Sequence, residues 1–122
     1  EKMREEMLKS VLSELNGTSA DIQASAAIST DGLVMASILS SDMDEDRIGA
    51  MAAAMLSLGE RTSHELGRGN LEQVLIKGDN GYVLMTHAGP DTVVCVVTQS
   101  SAKLGLVFLD IKRAAESIKS IM

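Results

Sequence analysis

A run of five apolar residues, Val93 to Val97, restricts the possible folds of this chain more than any other feature. A strand with one face in solvent alternates apolar and polar residues, whereas a strand covered on both faces is apolar at every position. We therefore predict that Thr92 to Gln99 form a strand in the middle of a sheet, with protein layers on both faces.

Four further strands are predicted around this run: Ile22 to Ser29, Leu33 to Leu39, Leu71 to Lys77 and Tyr82 to Ala88. The connectors between neighbouring strands are short and contain Gly, Asp, Asn or Pro, which favour tight turns. The first two strands are therefore predicted to form a hairpin, and the last three a meander.

Apolar residues at helical spacing predict a helix at each end of the chain. The first ends near Asn16-Gly17, because these residues tolerate the left-handed backbone at helix ends. The last follows Ser100 or Ser101, which are the candidate caps, and runs from Leu104 to Met122. The order of elements predicts an α+β three-layer sandwich, with a five-stranded, mostly antiparallel sheet and helices on both faces. Its 122 residues predict a single domain, 1–122.

The predicted second helix is unusually rich in small residues. It begins near Met43, where Asp42 and Glu45 resemble a capping box, and ends at Gly67 or Gly69. A helical wheel places one bulky stripe, predicted to face the core, at Ile48, Met51, Met55, Leu58, Thr62 and Leu66. Small residues fill the flank at Gly49, Ala52, Leu56, Gly59 and Ser63, and the far side at Ala50, Ala53, Ala54 and Ser57. A surface of small residues allows a second helix or another protein to approach closely. Each glycine weakens the helix by up to about 1 kcal/mol relative to alanine, so a contact is expected to offset that cost. We therefore interpret this surface as a protein-protein interface. The alternative is that alanine merely stabilises the helix.

The net charge and the cysteine count of the chain indicate which partners and which cellular compartment to expect. With 17 acidic and 11 basic residues the net charge is −6, which argues against binding nucleic-acid phosphates or an anionic membrane surface. The apolar runs fall short of the roughly 20 residues of a membrane span. A lone cysteine, Cys95, allows no internal disulfide and suits a reducing compartment, so we expect a cytoplasmic location.

The sequence does not predict a catalytic, cofactor or metal site. His64 and His87 belong to no ligand-spaced motif, and the apolar surroundings of Cys95 favour an inert thiol. The segments Gly67 to Gly69 and Gly78 to Gly81 contain glycine but lack the rest of a phosphate-binding motif. We therefore expect a protein that is not an enzyme.

Several features together resemble the roadblock family, which contains dynein light chains and regulators of small Ras-like GTPases. They are the order of elements, the small-residue helix, the passages Gly69 to Ile76 and Gly81 to Met85, and Leu104 to Val107 at the start of the last helix. The resemblance covers nearly the whole chain. Its motifs are patterns and not catalytic signatures.

This resemblance implies a profilin-like sandwich with strand order 2-1-5-4-3. It also implies a homodimer in which the second helix packs against its mate and the edge strands Leu71 to Lys77 pair across a two-fold axis. The residues expected at this dimer interface are Ala52, Leu56, Gly59, Ser63, Leu71, Gln73 and Leu75. The residues expected to form a platform for a GTPase are Ala50, Ala53 and Ser57.

The function implied is that of a non-enzymatic homodimeric regulator or adaptor, which binds a small Ras-like GTPase and modulates its activity or location. The second subunit is an identical chain or a paralogous roadblock chain. Two alternatives stay open. One is a scaffold subunit of a motor or membrane-associated complex, without effect on GTP hydrolysis; the other is a small-ligand sensor like other profilin-like and PAS-like sandwiches.

Overall fold

The chain folds into a five-stranded sheet with helices on both faces, as seen in a computed structural model that describes residues 2–122. The elements in chain order are α1 Lys2–Gly17, β1 Ile22–Ser29, β2 Val34–Ile38, α2 Glu45–Glu65, β3 Gln73–Gly78, β4 Gly81–His87, β5 Thr92–Gln99 and α3 Leu104–Ile121. The predicted order of elements is confirmed, and each boundary lies within about two residues of its predicted position.

The sheet has the strand order β2-β1-β5-β4-β3, and every neighbouring pair is antiparallel. The strand order implied by the resemblance is therefore confirmed. β5 lies in the middle, and its residues Val93 to Val96 are each at most 4% exposed. The chain reverses at short turns between β1 and β2, β3 and β4, and β4 and β5, which leaves β2 and β3 at the two edges.

One face of the sheet is covered by α1 and α3. Both helices repeat apolar residues with the helical period, so each presents a continuous apolar stripe to the sheet. Leu8 and Leu12 of α1 and Ile111 and Ile118 of α3 are at most 1% exposed. They pack in one cluster with sheet residues that include Val96. This layer contains most of the bulky core.

The other face is covered by α2 alone, and its core is smaller. Only Gly49, Ala52 and Leu56 of this helix are buried. They lie against a cluster of sheet residues: Ala26, Ile28, Met85, Val93 and Cys95. Small side chains therefore bring α2 close to the sheet.

The predicted core stripe of α2 is right only for Ile48 and Met55, which are partly buried against the sheet. The rest is wrong, because the helix is rotated by about one residue, or roughly 100°, from the predicted orientation. Met51, Leu58 and Leu66 are 58%, 67% and 68% exposed, whereas Ala52 and Leu56 face the sheet. Close packing explains this orientation. A Cβ on Gly49 would overlap the carbonyl oxygen of Gly32 in the β1–β2 turn.

The caps of α2 and α3 differ from the predicted ones. Asp44, not Asp42, caps α2, because its Oδ1 accepts hydrogen bonds from the backbone N–H groups of Asp46 and Arg47 at 2.9 and 3.3 Å. Asp42 instead accepts a 2.7 Å hydrogen bond from the Ser40 hydroxyl, which lowers the pKa of its carboxyl. α3 begins after Lys103, without a side-chain cap.

The serine predicted to cap α3 has another role. The Ser101 hydroxyl donates a 2.8 Å hydrogen bond to the Asp21 carboxylate, which ties the β5–α3 loop to the start of β1. At the end of α2, Gly67 has φ +69°, and the N–H of Arg68 donates to the carbonyl of Ser63 at 2.7 Å. This is a Schellman motif, so of the two predicted ends, Gly67 and Gly69, the structure has Gly67.

Replacing Asp44 by alanine is expected to lower the free energy of unfolding by about 1 kcal/mol, because two backbone N–H groups lose their acceptor. Urea denaturation followed by circular dichroism measures this loss. Asp42→Ala is the matched control, two residues away in the same acidic segment, and is expected to leave stability close to that of the wild type. A larger loss for Asp42→Ala than for Asp44→Ala would contradict the assigned cap.

Candidate interaction surface

The rotation of α2 leaves three bulky apolar residues, Met51, Leu58 and Leu66, on the surface. We call the stripe Met51, Met55, Leu58, Thr62 and Leu66 the outer apolar face. Leu58 and Leu66 are each about two-thirds exposed, and only Met55 is partly buried. Single exposed apolar residues are common on proteins, but a contiguous stripe on one helix is typical of a contact surface.

The outer apolar face continues into an open groove between α2 and β3. The groove has a volume of about 480 Å³. Met55, Leu58 and Leu66 line it from the helix. Leu71, Val74 and Ile76 line it from β3 and the segment before it. The apolar surface therefore spans two elements.

β3 adds an unpaired strand edge to this surface. It pairs with β4 from Gln73↔Thr86 to Gly78↔Gly81, and its opposite edge is the end of the sheet. Leu75 and Ile76 are 45% and 43% exposed. An apolar edge strand offers free N–H and C=O groups to any chain that can pair with it, so natural proteins usually cover or block such an edge.

The residues predicted for the dimer interface are divided by the structure. Ala52 and Leu56 are 1% and 5% exposed because they fill the space between α2 and the sheet, so they do not lie on the surface of the single chain. Gly59, Ser63 and Leu71 line the groove together with Gln73. Gly59 permits this groove wall to form, since a Cβ there would lie 3.0 Å from the nearest methyl carbon of Leu71.

Sequence reasoning missed Met51 and Leu58 as surface residues. The signal was present, because both belong to the stripe that the wheel identified. A wheel, however, gives the relative positions of residues around a helix and not the direction of the sheet. Either the bulky stripe or the small-residue stripe of α2 could pack against the sheet. The contact between Gly49 and the β1–β2 turn determines that the small-residue stripe does so.

The predicted platform residues lie on the side of α2 away from the outer apolar face. Ala50 and Ser57 are exposed, and Ala53 is partly buried. Ala53 lies beside the β1–β2 turn, because a Cβ placed on Gly32 would be 3.2 Å from the Ala53 Cβ. The same helix therefore presents two different surfaces on opposite sides.

Charged contacts around α2 are sparse and exposed. Glu60 Oε1 lies 3.4 Å from His87 Nε2, which links the helix to the end of β4. Arg61 pairs with Glu65 one turn later, at 3.3 Å. Exposed pairs of this kind contribute little to stability, so packing has to hold the helix in place.

Cys95 lies buried in β5. Burial among apolar residues raises the pKa of the Cys95 thiol to about 11, so the thiol stays protonated and weakly nucleophilic at neutral pH. Within residues 2–122, no group of three or more His, Cys, Asp or Glu is placed to hold a metal ion. No helix in this described range is long and apolar enough to cross a membrane.

Comparison with known sequences decides the family. The sequence profile of the Roadblock/LC7 domain matches residues 7–98, which include the outer apolar face and the β3 edge. The chain belongs to the Roadblock/LC7 family. It is also 44% identical to an uncharacterized protein of Methanocaldococcus jannaschii, over 94% of this chain and 99% of that protein.

Solved structures support the fold of this Roadblock/LC7 chain. The gliding protein MglB of Thermus thermophilus matches with a TM-score of 0.86 and 21% identity, over 97% of this chain and 90% of that chain. Profilin II of Acanthamoeba castellanii matches with a TM-score of 0.61 and 13% identity, over 93% of this chain and 97% of that chain. At these identities the likeness concerns the fold, and the implied profilin-like sandwich is confirmed.

Proposed function

We propose that this Roadblock/LC7 chain is a homodimeric, non-enzymatic regulator or adaptor that binds a small Ras-like GTPase. The observation that carries the proposal is the outer apolar face of α2, which is continuous with an unpaired edge strand. An isolated chain would expose Leu58, Leu66 and the β3 edge to water. A second copy covers all of them at once.

Two-fold symmetry suits this surface. In an isologous dimer the same patch from each subunit meets itself, so one helix stripe and one edge strand suffice for both partners. We propose that α2 packs against α2 of the second copy through Met51, Leu58 and Leu66. The two β3 strands pair along their free edges, which extends the sheet through both subunits.

The platform for the GTPase is proposed on the opposite side of the same helix. Ala50, Ala53 and Ser57 have short side chains, so a partner can approach the α2 backbone closely there. The platform does not overlap the outer apolar face, so dimerisation leaves it accessible. This separation supports a dimer that binds its partner without dissociating.

The proposal is tested with the purified chain and a Ras-like GTPase encoded beside its gene, loaded with GDP or a GTP analogue. Light scattering is expected to show a dimer that binds one loaded form preferentially. Ser57→Arg is expected to raise the Kd for the GTPase by about tenfold or more, because a long charged side chain blocks close approach. It should leave the dimer intact.

The control is His64→Arg, which adds the same side chain on the same side of α2 as Ser57 but two turns farther along the helix, beyond the platform residues. It is expected to bind the GTPase like the wild type. A dimer that binds neither loaded form would rule out the platform and leave self-association standing. Measured GTP turnover with the partner separates a regulator from a scaffold.

A further inference from the structure

The three helices differ in how much apolar side chain anchors them to the sheet. α1 buries three leucines, and α3 buries five residues, among them Val107, Ile111 and Ile118. α2 is the longest helix, with 21 residues, yet it fully buries only a glycine, an alanine and Leu56, while Ile48 and Met55 are partly buried against the same cluster. Since burial energy scales with apolar area removed from water, α2 has the weakest attachment.

The sequence of α2 does not compensate for this weak attachment. Gly49 and Gly59 lie inside the helix and lower its intrinsic stability. The Asp44 cap and the Schellman motif at Gly67 stabilise its ends, but in proteins most of the stability of a helix comes from packing of its apolar face. The order of α2 therefore depends on what covers its two apolar sides, of which the sheet covers one.

The uncovered side has the larger side chains. Met51, Leu58 and Leu66 are bulkier than the buried Gly49 and Ala52, and they are mostly exposed. Covering the outer apolar face would therefore add to α2 the burial of large apolar side chains that the sheet leaves exposed. A helix held in this way depends for its order on its partner as well as on its own domain.

We propose that the order of α2 depends on whether a second copy covers its outer apolar face. In the monomer the helix opens locally. Self-association holds it against the sheet and thereby orders the platform residues Ala50, Ala53 and Ser57. This inference rests on the proposed self-association and adds its regulation. Because one helix carries both surfaces, ordering by the second copy removes part of the entropic cost of binding a partner at the platform. Coupling of this kind is reciprocal, so a bound partner also strengthens the dimer by the same factor.

Native-state hydrogen exchange tests this proposal, because it reports local opening for each segment. We would compare the wild-type dimer with Leu58→Asp, a monomeric variant whose altered side chain is 67% exposed and lies outside the core. The α2 amides are expected to exchange at least about tenfold faster in the monomer, whereas the α1 and α3 amides change by less than about threefold. Dilution of the wild type below its dissociation constant should give the same pattern.

A second variant separates helix stability from the interface. Ser57→Ala replaces an exposed serine on the side away from the outer apolar face with a better helix former. Combined with Leu58→Asp, it is expected to slow exchange of the α2 amides in the monomer by about twofold. The same substitution at Ser120, near the end of α3, should leave α2 exchange unchanged.

The outcomes distinguish this inference from the proposed function. If the wild type dimerises and α2 exchanges equally slowly in dimer and monomer, the coupling is wrong and the dimer stands. If the wild type is monomeric at every concentration, the proposed self-association fails, and the coupling fails with it. Faster exchange confined to α2 in the monomer supports both.

Discussion

Leu58→Asp is expected to convert the proposed dimer into a folded monomer, with a rise in the dissociation constant of at least about 100-fold. Burying a leucine side chain contributes about 1.5–3 kcal/mol, and two-fold symmetry places two copies of the change in one interface. The introduced carboxylate would also be buried without a partner. Since Leu58 is 67% exposed in the single chain, its replacement leaves the core intact.

Sedimentation velocity across a concentration series measures this effect, with circular dichroism to verify folding. Ser57→Asp is the matched control, because it introduces the same carboxylate one residue away on the other side of the helix. It is expected to sediment as the wild-type dimer. If Leu58→Asp and Ser57→Asp dimerised equally well, the outer apolar face would not be the interface.

Gly49→Ala is expected to lower the free energy of unfolding by about 1–3 kcal/mol, although alanine favours a helix more than glycine. The added Cβ would overlap the Gly32 carbonyl oxygen, which is backbone and cannot rotate away. The β1–β2 turn and α2 must therefore separate, and the small core beneath Ala52 and Leu56 opens with them.

The control for this substitution is Gly105→Ala in α3, where an added Cβ has no neighbour within 4 Å. There the same change is expected to raise stability by roughly 0.5–1 kcal/mol, because only the helix propensity changes. Urea denaturation of both variants measures the change in the free energy of unfolding, which is expected to be a decrease for Gly49→Ala and an increase for Gly105→Ala. Equal stabilisation at both positions would show that the close contact between Gly49 and Gly32 can relax at no cost.

Much of the fold could be predicted from the sequence, because periodicity and turn residues define elements locally. The apolar run Val93 to Val97 predicts the central strand without any knowledge of contacts. The Asp-Gly and Gly-Pro-Asp connectors predict the tight turns that join neighbouring strands. Antiparallel pairing across short turns then leaves few alternatives for the sheet. The resemblance to roadblock proteins supplied the strand order, which the structure confirms.

The rotation of α2 could not be predicted because it depends on a contact between distant parts of the chain. Bulky residues usually define the buried stripe of a helix, and here the close approach of Gly32 to Gly49 reverses that preference. The N-cap of α2 could not be predicted either, because it depends on the direction of a side chain. Asp42 and Asp44 are chemically identical, and only Asp44 has its side chain aimed at the first free N–H groups.

The α1–α3 layer contains most of the large buried side chains, and the α2 layer contains few. Stability therefore depends mainly on the first layer, and the outer surface of the second is free to vary. Leu12, Ile111 and Ile118 keep the sheet and the α1–α3 layer together whatever residues α2 shows to the outside. If the proposed dimer forms through the outer apolar face, substitutions at Met51 or Leu58 can therefore change which chains recognise one another with little risk to folding. Such an arrangement suits gene duplication, since copies with the same foundation can diverge into separate sets of partners by altering one helix.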